Sequence, residues 1–469
     1  MMDLHTMNRD NKYVVFDSES LVLFSVTAEV GKILELFESE PVDSNLKLRV
    51  LDDTNICIDD LLKYFADLRT ANSSKDPKWI DKEPKTLCLI ISQDCNLKCA
   101  YCFADHGTFR SEKKLMHADT AKKCINMFFN NHKNIENFVL FYGGEPFLNF
   151  TLMKAIEEYG RSLGLNINYT TITNGTIMND TIEKFVIDYF FKLYISLDGP
   201  KEINDIQRFG NVESVHDKVI TTINRCKSNN IPLALKCIAT NKSINKLTDI
   251  AEYLSSLSVD SIAFAEVSRI PPESEFFISD NDFENYANEL SRILLKNLGQ
   301  LAIGNKTVII NPIFNILRQL MTRTRAINNC SAGREYIAVT ADGDVYPCHG
   351  FVGMEEFKMG NVHDEDFPGE AYNKIKKIFD THSVHTSEEC SSCWARFLCG
   401  GDCVVNSYLS NGELFHPTKR RCILIKSILE ALLPEIADIF QDEVKTQNIL
   451  NSIQCIGALN KPINSWSCR

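Results

Sequence analysis

The sequence of 469 residues contains no run of the ~18–20 apolar residues that a membrane-spanning helix requires, although 44% of its residues are hydrophobic. A membrane partner is therefore not expected. Its first residues, MMDLHTMNRDNKY, hold no apolar core of a secretory signal, so the expected location is cytoplasmic. An excess of positive charge is missing too. The formal net charge is −12, and an overall anion is poorly suited to gripping a phosphate backbone, which argues against nucleic acid. No internal repeat or low-complexity segment is present. What remains is enough apolar material for two or three domains, each with its own core.

Cysteine, by contrast, is abundant at seventeen residues. In a long chain without a signal peptide, clustered cysteines bind metals or metal clusters more often than they pair as disulfides. Ten fall into tight motifs. The other seven (Cys57, Cys88, Cys124, Cys226, Cys237, Cys455 and Cys468) read as small core hydrophobes.

Residues 1–80 read as a separate unit. KYVVFD and LVLFSVT are short strands joined by a Ser-Glu-Ser turn, a hairpin pattern. Val30, Ile33, Leu34 and Phe37 then share one helical face, as do Leu61, Leu62, Phe65 and Leu68. ANSSKDPKWIDKEPK is polar, carries two prolines and reads as a linker. From Leu87 onward, apolar strand runs (Leu87–Ser92, Phe138–Tyr142, Ile167–Thr173, Phe191–Ser196, Leu233–Ala239, Ile262–Val267) alternate with segments long enough for crossover helices. That pattern predicts an α/β fold with a parallel sheet. Six units predict a partial (β/α)6 TIM-like barrel over residues 84–268, with its site at the C-terminal strand ends. Residues 269–329 read as a helical bridge, 330–445 as a cysteine-rich domain closed by a helix over Ile423–Val444, and 446–469 as a tail of little pattern.

The strand ends carry the unusual residues. The first is followed by DCNLKCAYCFA, which spaces Cys95, Cys99 and Cys102 as C-x3-C-x2-C. Three thiolates hold either a zinc ion completed by a distant ligand or a cubane cluster with one iron left open. The second strand ends in Gly143-Gly144-Glu145-Pro146, where glycines permit close approach and exposed amides bind carboxylates. The third ends in Asn174 and the fourth in SLDGP, with Ser196 at its start and Arg208 twelve residues on. Each motif alone is a turn signal; their order on successive strands makes them one pattern. That pattern, with Tyr101 before the last cysteine, resembles the radical S-adenosylmethionine (SAM) superfamily over residues Leu87 to Val267. The resemblance implies a 4Fe–4S cluster on Cys95, Cys99 and Cys102 whose open iron takes the amino and carboxylate groups of SAM. It implies that Gly143, Gly144 and Glu145 face the methionine amine, that Ser196 and Arg208 bind ribose and carboxylate, that Tyr101 flanks the adenine, and that Asn174 reaches the ribose.

Farther on, the chain reads Cys330-x12-Gly343-x4-Cys348, then Cys390-x2-Cys393-x5-Cys399-x3-Cys403, then Cys422. ADGD between YIAVT and VYPC is a hairpin turn. Spacing alone leaves two zinc ions and two iron–sulfur clusters equally open. It also resembles the SPASM domain, which extends radical SAM enzymes acting on peptides and proteins. That resemblance implies two auxiliary 4Fe–4S clusters, three clusters in all. One takes Cys390, Cys393, Cys399 and Cys422, and the other Cys330, Cys348 and Cys403. The stretch MTRTRAINN before Cys330 lacks the further cysteine of some members, so the resemblance implies an inner set of three ligands, with either a place for a substrate thiolate or a fourth ligand from elsewhere, namely Cys455, Cys468, a histidine or water.

The N-terminal unit resembles the winged-helix element of peptide maturases, which binds a leader peptide as an added strand. Together the resemblances imply a maturase of a ribosomally made peptide. Its substrate would be a cysteine-containing precursor with a leader, its product a Cys thioether as in sactipeptides and ranthipeptides, and its reductant a flavodoxin or ferredoxin. The alternatives are formylglycine formation as in anaerobic sulfatase maturases, a carbon–carbon crosslinker or epimerase, and a zinc-stabilised binding protein without catalysis. The 94 residues before Cys95 weigh against the first of these.

Overall fold

Strand periodicity and the crossover segments translate directly into a sheet. In a computed structural model of the chain, the described residues are 3–9, 11–76, 83–132 and 135–459, the side chains of Phe191 and of residues 454–459 excepted. The middle of the expected linker, Cys468 and the side chain of Cys455 lie outside them. Among the described residues no helix is long and apolar enough to cross a membrane.

The N-terminal unit holds three antiparallel strands, β1 (Leu4–Arg9), β2 (Lys12–Asp17) and β3 (Val22–Val26). Helices α1 (Ala28–Ser39), α2 (Ser44–Thr54) and α3 (Ile58–Ala71) follow. β1 and α2 were not expected. Val15 packs with Leu34 and Phe65 on one face of this sheet. The opposite face, through Met7, Val14 and Phe16, packs on a long helix Lys419–Phe440 and its residues Leu424, Ile428 and Leu432.

Six further strands match the expected ones to within one residue at each end: β4 (Thr86–Ser92), β5 (Asn137–Gly143), β6 (Ile167–Thr173), β7 (Phe190–Ser196), β8 (Leu233–Ala239) and β9 (Ser261–Glu266). All pair in parallel with their neighbours in that order. Each crossover buries a helix face on the sheet, as Ala121, Cys124, Ile125 and Phe128 do after β4. The sheet runs past both edges of the expected six. β10 (Ile309–Asn311) lies parallel beside β9, so the bridging region is not wholly helical. On the other edge β11 (Tyr336–Val339) lies parallel beside β4, and β12 (Asp344–Tyr346) and β13 (Gly360–Asn361) follow antiparallel. β11 and β12 flank the expected ADGD turn. The described part of the tail read as having little pattern belongs to a helix, Glu443–Leu459. Of the cysteines read as core hydrophobes, Cys88, Cys124, Cys226 and Cys237 are buried. Cys57 is exposed, because it caps the start of α3 at the surface.

The N-terminal sheet is held on the C-terminal region by charge as well as packing. The His5 ring stacks on Trp394 at 3.8 Å and 8°, with His5 Nε2 2.5 Å from Glu430 and Nδ1 3.4 Å from Glu38. Arg396 donates to Asp3 (2.6 Å) and Glu19 (2.7 Å). Burial alone would lower the pKa of His5, but its hydrogen bonds to the Glu38 and Glu430 carboxylates outweigh it and raise it to about 9. A raised histidine contributes stability in full below its ordinary value near 6.5 and loses it as pH rises through about 9. Hydrogen exchange of residues 4–9 is therefore expected to accelerate between pH 7 and 10 beyond its intrinsic pH dependence, and His5→Gln is expected to remove that extra acceleration.

Candidate active site

β4 delivers its chain to the sheet's C-terminal edge, where the three-cysteine loop begins. The loop is pinned to the segment after β7: Lys98 N–H donates to Phe209 O (2.7 Å) and Ala100 N–H to Gln207 O (2.9 Å). Cys95 Sγ accepts from Leu97 N–H (3.4 Å) and from Asn174 Nδ2 (3.8 Å). Cys99 Sγ accepts from Arg208 Nη1 at 3.9 Å. Burial pushes the Cys95 thiol up to about 12, and Cys99 and Cys102 nearby add to it. Burial raises Cys99 to about 11 against the pull of Arg208. Such thiols surrender their protons to a metal rather than to water.

The corner after β5 lies against the root of this loop. Gly144 N–H donates to Ser92 O and Glu145 N–H to Asp94 O, both at 2.9 Å. A Cβ on Gly143, whose φ is +143°, would sit 2.1 Å from Ser92 O, and one on Gly144 would sit 2.3 Å from Asp94 O. The glycines thus let two backbones touch, beyond any approach of a ligand. Glu145 is fully buried. Its Oε1 accepts from Phe147 N–H (3.1 Å) and Thr173 Oγ1 (2.8 Å), and its Oε2 from Asn174 N–H (2.8 Å). Burial raises its pKa to about 7 against those hydrogen bonds. The Glu145 oxygens thus tie the ends of β5 and β6 together. The Asn174 amide donates to Asn96 Oδ1 (2.8 Å) and Cys95 Sγ, and its Oδ1 accepts from Thr176, so it supports the cysteine loop.

At the end of β7, Asp198 is fully buried and accepts five donors: Tyr101 Oη (2.5 Å), Arg208 Nε (2.8 Å), Arg208 Nη2 (3.1 Å), Gln207 Nε2 (3.0 Å) and Ile238 N–H (2.9 Å). Arg208 also lies 5.4 Å from the centre of the Tyr101 ring. Arg208, Tyr101 and Cys99 thus form one unit around one carboxylate. Ser196 is half-buried at the end of β7, in register with Lys236 on β8.

The remaining motif cysteines form two groups. Cys348, raised by burial, lies close enough to Cys330 and Cys403 for each to raise it further. Cys422, pushed up to about 11 by burial, is raised in the same way by Cys399, Cys393 and Cys390. These are the same three and the same four that the spacing resemblance had grouped. Tyr142, one residue before the glycine corner, is raised by burial, with Cys102 and Cys348 among the groups that add to it. Its ring is 4.6 Å from that of His349, which hydrogen-bonds to Tyr336 Oη through Nδ1 (2.7 Å). Burial, with Arg269 and Lys236 nearby, lowers His349 to about 3, so its ring is neutral.

A radical SAM superfamily model matches residues 89–249, and an iron–sulfur cluster-binding domain model, SPASM, matches 330–394. An uncharacterized protein of Methanocaldococcus jannaschii is 30% identical over 295 residues, 62% of this chain and 91% of its own. The chain belongs to the radical SAM superfamily. A cysteine-type anaerobic sulfatase-maturating enzyme of Clostridium novyi is 27% identical over 68% of this radical SAM chain and 88% of its own. The radical SAM cyclopropyl synthase TigE of Paramaledivibacter caminithermalis is 23% identical over 77% and 76%. Among solved structures, native anSMEcpe with bound AdoMet superposes with a TM-score of 0.65 at 21% identity, covering 76% of this chain and 100% of that one. Streptococcus suis SuiB bound to precursor peptide SuiA gives 0.53 at 16%, covering 89% and 98%.

Membership with a SPASM domain brings SAM and several 4Fe–4S clusters. The donor sets fit. By residue type each set offers thiolates for cluster iron, Cys330 and Cys348 buried and the others half-buried, and amide and guanidinium N–H groups already point at Cys95 and Cys99 sulfur, as cluster ligation favours. Sequence reasoning did not single out Asp198 as a site residue, although it stands inside the quoted SLDGP. It also passed over Thr173, Tyr142, Lys236, Arg269 and His349. The last three sit in no motif, and only the fold brings them to the site.

Proposed function

We propose that this radical SAM protein is a peptide maturase that forms Cys thioether crosslinks in a ribosomal precursor. The observation that carries the reading is the nearness of the Cys348 turn to the first cysteine loop: Arg269 packs on Phe103, next to Cys102, and on Gly350, two residues past Cys348. The inner set has one thiol fewer than the outer, and a substrate thiol completes four donors.

Cys95, Cys99 and Cys102 would hold the SAM cluster, and the two other sets the auxiliary clusters. When bound, the first supplies the electron that cleaves SAM to methionine and a 5′-deoxyadenosyl radical, which takes hydrogen from a peptide carbon. The chain's own residues bind and orient. The backbone of Gly143 and Gly144 would face the amine end of SAM, Arg208 would carry positive charge toward its carboxylate, Ser196 would meet the ribose and Tyr101 would lie by the adenine. Asp198 fixes Arg208 and Tyr101 in one orientation. In the N-terminal unit β3 pairs with β2 alone among the described residues, and its other edge would add the leader as a strand. SuiB, which shares the fold, has been solved with its precursor peptide.

Oxidation of a Cys or Ser to formylglycine is the second reading, favoured by the similarity to sulfatase-maturating enzymes. One experiment separates the two. A cysteine-rich peptide encoded beside the gene is incubated anoxically with reconstituted enzyme, SAM and dithionite, then alkylated. Loss of two hydrogens together with one alkylatable thiol is the expected result. A new carbonyl that reacts with hydrazide would establish formylglycine instead. Deoxyadenosine release with an unchanged peptide would remove the crosslinking reading for that substrate.

A further inference from the structure

The end of β9 places a cation in an unusual position. Arg269, three residues beyond Glu266, has φ +63°, the left-handed region that side chains other than glycine avoid. The guanidinium lies 4.9 Å from the centre of the Phe103 ring, directly after Cys102. Its Nη atoms pack against Gly350, where an added Cβ would come within 3.0 Å of them. The group therefore spans the gap between the first cysteine loop and the Cys348 turn. Its hydrogen bond is to a neutral acceptor, Asn406 Oδ1, at 3.3 Å. Among the described residues it forms no ion pair, neither with Glu266 nor with another carboxylate. The site's other arginine, Arg208, is by contrast ion-paired with Asp198.

A second cation stands on the same side. Strand alternation fixes it: Ile195 points toward Val219 of the crossover helix Val215–Ser228, so Tyr194 and Ser196 point into the barrel. Lys236, in register with Ser196, places its Nζ 5.8 Å from the centre of the Tyr194 ring. The two acids nearest the SAM end of the barrel, Glu145 and Asp198, are consumed by internal donors, as described above. In a protein of net charge −12, Arg269 thus stands between the two cysteine groups, with Lys236 beside Tyr194 on the same side.

We propose that Arg269 binds a carboxylate of the peptide next to its reacting residue, so that the enzyme selects an anionic group there. The planar fork of an arginine without a carboxylate partner suits bidentate capture of such a group. This rests on the peptide-maturase reading. An aspartate or glutamate side chain and a free carboxyl terminus offer the same chemistry.

The test uses the full-length, anaerobically reconstituted enzyme with SAM and short labelled peptides carrying one cysteine. In one the neighbour is Asp, in a second it is Asn with an amidated terminus, and in a third it is Asn with a free terminus. Binding is read by fluorescence anisotropy, and iron content and cluster absorption are measured on every variant. Wild type is expected to prefer a carboxylate peptide about tenfold over the amidated Asn peptide. The preferred arm identifies the side chain or the terminus as the source. Arg269→Gln should erase the preference, and Arg269→Lys should keep part of it, with cluster content unchanged in both. Equal binding of all peptides by wild type overturns the proposal alone. So does an Arg269→Gln variant that keeps the preference while losing iron, since the cation would then serve the thiolates. Failure of every peptide to bind overturns the maturase reading with it.

Discussion

Asp198→Ala is expected to abolish SAM cleavage and to destabilise the protein by roughly 3–5 kcal/mol, the usual result of leaving one member of a buried ion pair without its partner. Asp198 is fully buried and accepts two bonds from Arg208, whose side chain is 8% exposed. Without the carboxylate, the guanidinium is stranded against Cys99 sulfur, and Tyr101, Gln207 and the Ile238 amide each lose an acceptor. The urea midpoint should fall, and deoxyadenosine release should drop below detection. The double variant Asp198→Leu, Arg208→Met separates the two effects. Replacing both charges with apolar groups should restore much of the stability and none of the cleavage. Wild-type cleavage in either variant would show that this pair has no part in holding SAM.

Gly144→Ala should produce a comparable loss by a different route. The added methyl would lie 2.3 Å from Asp94 O and 2.7 Å from the Gly107 Cα. Both are backbone atoms, so the clash cannot be relieved by rotating a side chain. β5 and the root of the cysteine loop must separate, breaking the Gly144 and Glu145 amide bonds to Ser92 and Asp94. Iron should fall by one cluster's share, and the spectroscopic signature that responds to added SAM should vanish, while signals from the auxiliary sets persist. Retention of all iron with normal SAM response would mean that the corner yields more easily than its contacts indicate. Gly412, where a Cβ would meet nothing within 4 Å, provides a control. Its φ is +75°, so Gly412→Asn, with a residue tolerant of that conformation, should leave the iron content untouched.

The barrel strands were legible because each is a run of apolar residues long enough to be buried on both faces and is followed by an amphipathic helix. Val-Leu-Phe-Tyr in β5 and Leu-Cys-Leu-Ile-Ile in β4 leave little choice. β10 and β11 were not legible as sheet partners. Each spans three or four residues, and their register is set by the strand beside them rather than by their own pattern. β1 was missed because LHTMNR alternates polar groups that only the neighbouring helix and Trp394 render buried. Cysteine spacing revealed the donor sets, since ligands on one short loop must be close in sequence. The groups that orient those loops are not bound by that rule. Asp198 meets Tyr101 across 97 positions, and Arg269 meets Asn406 across 137, distances at which no motif survives.

The pairing of β11 with β4 sets a limit on modularity. The strand that launches the first cysteine loop is hydrogen-bonded along Thr86–Leu89 to the strand that leads toward Cys348. Trimming the protein back to its barrel would expose that edge as a row of unpaired amides and carbonyls, a template for aggregation. A chimera that borrows its cysteine-rich half from a relative must therefore import a β11 that zips onto this β4. The natural exchange boundary falls inside the sheet, and the two halves of the enzyme must evolve as one piece.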